Sequence, residues 1–221
     1  RVLVQLDREP VEGYAYLAEA LFMTGEFEAA IQASRQVLSR DIERRSAVMT
    51  IAHSYYYMGR YDRASHIYRE ASRQVPDDHY AEGGLASAYA LLDTPDAAEK
   101  SSQSFQRARS LAEAALVADP DDALTTISLA YYCAVLGELD CAHSNRARAL
   151  HLAPDHIEVN YMAARVHAQL GDMQAASAAT QRALDLGYPQ ALLVTDPQLT
   201  KVWSQRRFAT AGLTAMFSPS R

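Results

Sequence analysis

Lysine is nearly missing from this chain: of its 21 basic Lys and Arg residues only Lys100 and Lys201 are lysine. Against them stand 27 Asp and Glu, for a formal net charge of −6. The broad positive footprint that nucleic-acid binding requires is therefore absent. Cysteine is as scarce, with Cys133 and Cys141 alone, too few for a disulfide scaffold. No apolar run approaches the ~20 residues of a membrane-spanning helix, so membrane insertion within this fragment is not expected. Glycine-rich phosphate loops, His-Glu-x-x-His pairs and Gly-x-Ser-x-Gly elbows are missing too. The first residue is Arg1 and no signal-peptide pattern follows. The sequence thus reads as a piece cut from a longer protein, in which a cytoplasmic setting is favoured and a periplasmic one would follow from a transmembrane segment in the parent.

What is present is a spacing. Arg45 to Asp78 carries small residues at Ala52, Ala64 and Ala71, aromatics at Tyr55, Tyr61 and Tyr68, Gly59 and Pro76. Read at helical period it predicts two amphipathic helices, Ser46 to Met58 and Tyr61 to Gln74. Gly59 ends the first in a left-handed turn. Ala52 and Ala64 sit where the two helices cross closely, and Asp77 and Asp78 follow Pro76 as caps for the next helix. Gly25 precedes Gly59 by 34 residues, and Gly171 follows Gly137 by the same interval. Ala18 and Ala30, Ala130 and Ala142, and Ala164 and Ala176 hold the crossing places around these glycines.

This 34-residue unit resembles the tetratricopeptide repeat (TPR), whose pattern has an Ala, a Phe or Tyr and a Pro at these offsets. The resemblance implies an all-α, right-handed α-solenoid of about five TPR helix-turn-helix units with a C-terminal capping segment. The register divides the chain into the end of a preceding helix (1–10), five units (11–44, 45–78, 79–122, 123–156 and 157–190) and a cap (191–221). In the first unit the closing proline is replaced by Asp41-Ile42-Glu43.

The third unit breaks the arithmetic by ten residues, which fall between Asp93 and Ala108. Thr94-Pro95-Asp96 is a good helix start, predicting a helix from Pro95 to Val117. Ten residues leave a helix about 80° short of whole turns. A kinked or protruding element around Ala98 to Gln106, with a break near Ser101-Ser102, is expected.

Beyond Tyr188 the period stops. Leu199, Trp203 and Phe208 are candidates for the lid that a solenoid needs over its last repeat, and Asp196-Pro197 reads as a cap leading a helix. Gly187-Tyr188-Pro189, Asp196-Pro197, Leu199 and Arg207-Phe208 resemble the tail after TPR arrays in bacterial serine/threonine kinases, transcription activators and adenylate cyclases. Gln205-Arg206 stands where that tail has Asp-Pro.

No catalytic constellation emerges, and the chain is read as a non-enzyme without cofactor or metal. Cys133, Cys141 and His143 are near neighbours. Burial of small apolar groups, a disulfide across the Gly137 turn and a metal site are the three explanations of that set, and burial is the simplest. Function is placed instead in the groove lined by the first helices. The register assigns to it Met49, His53, Tyr56, Tyr80, Ile127, Tyr131, Tyr161 and Arg165, together with Glu12, Ala15, Glu19, Phe22, Gly83, Ser87, Ala90, Ala134 and Ala168. Aromatics on a concave surface point to a partner that covers them. The expectation is a protein- or peptide-binding scaffold or sensor of a signalling protein, taking an apolar peptide segment. The alternatives are a homo-oligomerisation module and a small-molecule sensor.

Overall fold

The computed structural model describes residues 11–40 and 44–204, in which every regular element is a helix. Ten helices form five antiparallel pairs: α1 (Val11–Met23) with α2 (Phe27–Leu38), α3 (Arg45–Tyr57) with α4 (Tyr61–Gln74), α5 (His79–Tyr89) with α6 (Ala97–Ala118), α7 (Ala123–Leu136) with α8 (Leu139–Leu152), and α9 (Ile157–Gln169) with α10 (Met173–Asp185). Two short helices follow, α11 (Gln190–Thr195) and α12 (Thr200–Ser204). Each pair packs on the next, so the molecule is an α-solenoid.

The turns are set by glycine. Gly25, Gly59, Gly137 and Gly171 have φ of 81°, 72°, 78° and 80°, a left-handed conformation that side chains resist. The crossings are set by alanine: Ala30, Ala52, Ala64, Ala130, Ala142, Ala164 and Ala176 are fully buried, and Ala18 nearly so. Successive pairs are stitched by aspartate. Asp78 accepts from the backbone N–H of Tyr80 and Ala81 at the start of α5, and also from Arg45 Nε of α3 at 2.6 Å. Asp122 caps α7 in the same way through Leu124 and Thr125.

In the third pair α6 runs unbroken from Ala97 to Ala118, so the break expected near Ser101-Ser102 does not occur. Its buried residues, Ala97, Ser101, Ser104, Phe105, Ala108 and Ala112, follow one helical face. Ser101 donates its hydroxyl to the Ala86 carbonyl of α5 at 2.9 Å. At 22 residues α6 is longer than the other second helices, of 12–14, so most of the extra length lies in it, and Pro95 stays in the connection 90–96 rather than opening the helix.

Cys133 of α7 and Cys141 of α8 form a disulfide across the Gly137 turn, with Cα atoms 5.8 Å apart. Their sulfurs are therefore bonded to each other, and the Cys133, Cys141 and His143 metal set is replaced by the bridge. In the cap, Leu192, Leu193 and Leu199 are buried, and Trp203 Nε1 donates to the Leu193 carbonyl at 2.7 Å. Pro197 to Leu199 form a turn, so the second cap helix begins only at Thr200. Residues 1–10, Asp41-Ile42-Glu43, Arg207 and Phe208 lie outside the described residues.

The cap also meets the other end of the array. Phe27 of α2 shares one apolar cluster with Tyr161, Tyr188 and Leu192, and Phe22 and Tyr57 pack against it. Phe27 stacks on Tyr57 at 5.7 Å between centroids. The Tyr57 and Tyr161 hydroxyls are hydrogen-bonded at 2.9 Å. At Gly25 a Cβ would stand 3.1 Å from that of Ala191, a contact that leaves little room for any side chain. The solenoid thus curls until its first and last elements touch. The open groove expected from the register is instead a walled recess.

Candidate functional site

The recess lies along the inner faces of the first helices and has a volume of about 510 Å³, within the range of ~300–1,000 Å³ typical of ligand pockets. Its mouth is built from the first or second residue of four helices: Arg45 of α3, Tyr80 of α5, Leu124 of α7 and Glu158 of α9. The middle carries Met49, His53 and Ile127. Tyr56, Tyr57, Tyr131, Tyr161 and Arg165 line the inner part. Behind these the cap forms a backing. Gln198 Nε2 donates to the Tyr56 hydroxyl at 3.4 Å, and the Tyr161 hydroxyl donates to Asp196 Oδ2 at 2.7 Å.

All eight residues that the register places at the groove line this one recess, and Phe22, Gly83 and Ser87 join them. Glu12, Ala15, Glu19, Ala90, Ala134 and Ala168 do not. Glu12 turns outward to Arg44, 3.6 Å away. The rings are more deeply set than on an open concave face: Tyr131 is 2% exposed and packs edge-on to Phe105 of α6.

Several lining residues escaped the register. Arg45 stands four residues before Met49 and Glu158 three before Tyr161, so helical period alone could have found them. Tyr68 of α4 and Tyr132 of α7 reach the recess because α5 has no side chains at Gly84 and Gly83. A Cβ at those places would lie 2.4 Å from the Tyr68 ring and 2.5 Å from the Tyr132 hydroxyl. The Gly83-Gly84 pair was the signal for that close approach. Tyr188 enters from the end of the fifth unit, just after α10, and Leu192 from the cap.

The electrostatics centre on Arg165. Its guanidinium lies 4.3 Å above the Tyr131 ring and 3.6 Å from Asp196 Oδ2, with the side chain 12% exposed. Burial works against its charge, but the Tyr131, Tyr161 and Asp196 surroundings hold it firmly protonated. Asp196 is satisfied without it, by the Tyr161 hydroxyl and by the Gln198 N–H at 2.8 Å. Arg165 Nε has no hydrogen-bond partner among the described residues, and Nη1 reaches only the Met162 sulfur at 3.6 Å, a weak acceptor. Arg45, by contrast, is fully engaged with Asp78.

His53 lies between the Phe22 and Tyr68 rings. Burial, then Arg165 and Arg45, lowers its imidazole to about 4, so it is neutral at ordinary pH. At the mouth, crowding by the wall raises the Glu158 carboxyl, an effect opposed by Arg165 and reinforced by Asp196. Solvent still reaches Glu158, which tempers that rise.

A curled array of helix hairpins around an aromatic inner recess defines an α-solenoid. Tetratricopeptide-repeat profiles match residues 49–103 and 157–186. The chain is a tetratricopeptide-repeat protein. Among solved structures it resembles TTC0263, a thermophilic TPR protein of Thermus thermophilus, at 21% identity and a TM-score of 0.62, covering 88% of this chain and 98% of that one. It is also similar to MamA of Desulfovibrio magneticus (16% identity, 81% and 96% covered, TM-score 0.45). A third is YrrB, described as a TPR protein with an unusual peptide-binding site (19% identity, 86% and 92% covered, TM-score 0.45). No curated protein matches the sequence.

Proposed function

We propose that this protein is a non-enzymatic binding module whose recess takes an apolar peptide segment. The observation that carries the reading is the lining of that recess: six tyrosines from the first helices, Met49 and Ile127, in one cavity open at Arg45, Tyr80 and Glu158. Aromatic rings gathered in a concavity give large contact area at small entropic cost, which is the composition of binding hot spots. The repeat units are taken as 11–44, 45–78, 79–122, 123–156 and 157–190. The Gly187-Tyr188-Pro189 and Asp196-Pro197 tail supports placing the module in a larger bacterial signalling protein.

A photo-crosslinking amino acid at Tyr80, which is 39% exposed at the mouth, tests this in the native cells. Capture of a distinct protein or peptide, lost when Tyr56 is changed to Ala, is the expected result. Capture only of a second copy of this chain would replace the reading with oligomerisation. The end-to-end closure favours one second reading, a small molecule enclosed in the recess. A saturable thermal shift with a metabolite, in the absence of any captured peptide, would establish that instead.

A further inference from the structure

Cys133 lies in the last turn of α7 and Cys141 in the first turn of α8, and their bond crosses a turn that the fold makes elsewhere without one. Gly25, Gly59 and Gly171 turn their hairpins with the same left-handed φ as Gly137. Ala130 and Ala142, both fully buried, already fix the crossing of α7 on α8. In the second and third units the place of Cys133 is held by Tyr55 and Tyr89, whose hydroxyls accept from Arg35 and Arg69 of the preceding second helix. The fourth unit has a covalent bond where its neighbours have a hydrogen bond. A loop closed over a sequence separation of only 8 also removes less chain entropy than a long one. The repeat architecture therefore does not require the bridge.

The two sulfurs differ in setting. Cys133 is fully buried in the cluster that holds Tyr131 and Tyr132, whereas Cys141 is partly exposed. A thiol arriving from solvent meets Cys141 first. Cys141 is the third residue of α8, a helix of 14 residues whose N-cap residue, Glu138, makes no side-chain cap. The first-turn N–H groups are left to favour negative charge near them, and thiols at helix starts ionise more readily. Asn145 Nδ2, which donates to the Cys141 carbonyl at 2.9 Å, also faces its sulfur at 3.4 Å, and a donor there favours the thiolate further. Glu138 and Asp140 work against it, but the Glu138 carboxylate is paired with the Arg109 guanidinium of α6. A Glu138 oxygen also stands within 4.8 Å of both sulfurs.

We propose that the Cys133–Cys141 bridge is a reversible thiol–disulfide exchange site, opened and closed through Cys141 by low-molecular-weight thiols and their disulfides. In opening, a thiolate attacks Cys141 Sγ, the bond to Cys133 breaks, and Cys133 leaves as a thiolate that takes up a proton. A second thiolate attacks the mixed disulfide, releasing the Cys141 thiolate and a low-molecular-weight disulfide, so that two electrons pass to the protein. In closing, the Cys141 thiolate attacks that disulfide and expels one thiolate. The Cys133 thiol then gives its proton to Glu138, attacks Cys141 Sγ and expels the second. Both directions pass through a mixed disulfide on Cys141, and a reduced form favoured by the helix start makes the bridge easier to open.

The test equilibrates the folded chain in buffers of reduced and oxidised glutathione, traps free thiols with N-ethylmaleimide and reads the products by intact mass. A closed bridge in oxidised glutathione is expected, opening in excess of the reduced form, with a glutathione adduct at intermediate ratios that peptide mapping places on Cys141. Circular dichroism establishes that the helices persist throughout. A bridge that stays closed until urea unfolds the chain would overturn the proposal, and so would two thiols that stay free in oxidised glutathione. Single variants locate the point of attack. Cys141 in Cys133→Ser should react with dithionitrobenzoate about tenfold or more faster than Cys133 in Cys141→Ser, and Asn145→Ala introduced beside Cys133→Ser should slow it. Equal rates, or an adduct on Cys133, would remove Cys141 from its role. Should either variant fail to fold, the position of the adduct on the unaltered chain decides the same question.

Discussion

At the scale of single residues, His53 couples the recess to pH. Its folded-state value of about 4 lies below the ~6.5 of an unfolded histidine. Between those values the unfolded chain binds more protons, so stability is fully present above about 6.5 and is lost as pH falls toward 4. The slope from one such group is up to ~1.4 kcal/mol per pH unit. His79, lowered by burial between Tyr132 and Thr125, adds a loss of the same sign. Urea midpoints measured from pH 4.5 to 7 should fall less steeply for His53→Gln than for the parent, and coincident slopes would mean that His53 is not held neutral. Gly84 gives a second residue-scale expectation. Gly84→Ala drives a methyl against the Tyr68 ring, in a core where overpacking costs ~1–3 kcal/mol. A loss of that size in denaturant unfolding is expected. A neutral result would mean that the Tyr68 ring moves aside freely.

At the scale of elements, the period of the sequence carried the helices well. Tyr61 to Gln74 was bounded correctly by Tyr61 and Pro76, and the crossing alanines follow from a 34-residue interval because each makes the same contact in every unit. The offset in the third unit was legible as a number but not as a shape. Most of the extra length went into α6, 22 residues against 12–14 in the other second helices, and the connection 90–96 took up the rest. Asp196 shows where local reading stops. One of its oxygens caps the turn through Gln198, as the Asp-Pro pattern suggests, while the other receives Tyr161 from 35 residues earlier. That second role depends on where α9 lies in space. Asp196→Ala should strand the Tyr161 hydroxyl and remove the nearest carboxylate from Arg165, a buried imbalance typically costing ~3–5 kcal/mol. Asp196→Asn, which keeps an acceptor, should recover part of the loss in the same urea titration.

At the scale of the whole molecule, the recess itself was half legible. Eleven lining residues could be placed by register, because first helices repeat the same inner face. The walls contributed by the cap, and the meeting of Phe27 with Leu192, could not be, since closure is the sum of small rotations between five successive pairs and no single pair encodes it. Phe27 is buried within the end-to-end cluster. Phe27→Ala should therefore weaken both ends at once, by ~3–5 kcal/mol, and raise amide exchange in α1 and in α11 together. Exchange raised in α1 and α2 alone would mean that the contact between the ends carries no energy.

An ordinary repeat array has two loose boundaries, from which unfolding spreads inward one unit at a time. A chain whose Phe22, Phe27 and Tyr57 rest on Tyr161, Tyr188 and Leu192 has no such boundary to begin from. Fraying of the first hairpin uncovers the last, and the reverse. The molecule should then lose its structure in a single step, and an occupant of the recess should be released only when the circle as a whole gives way.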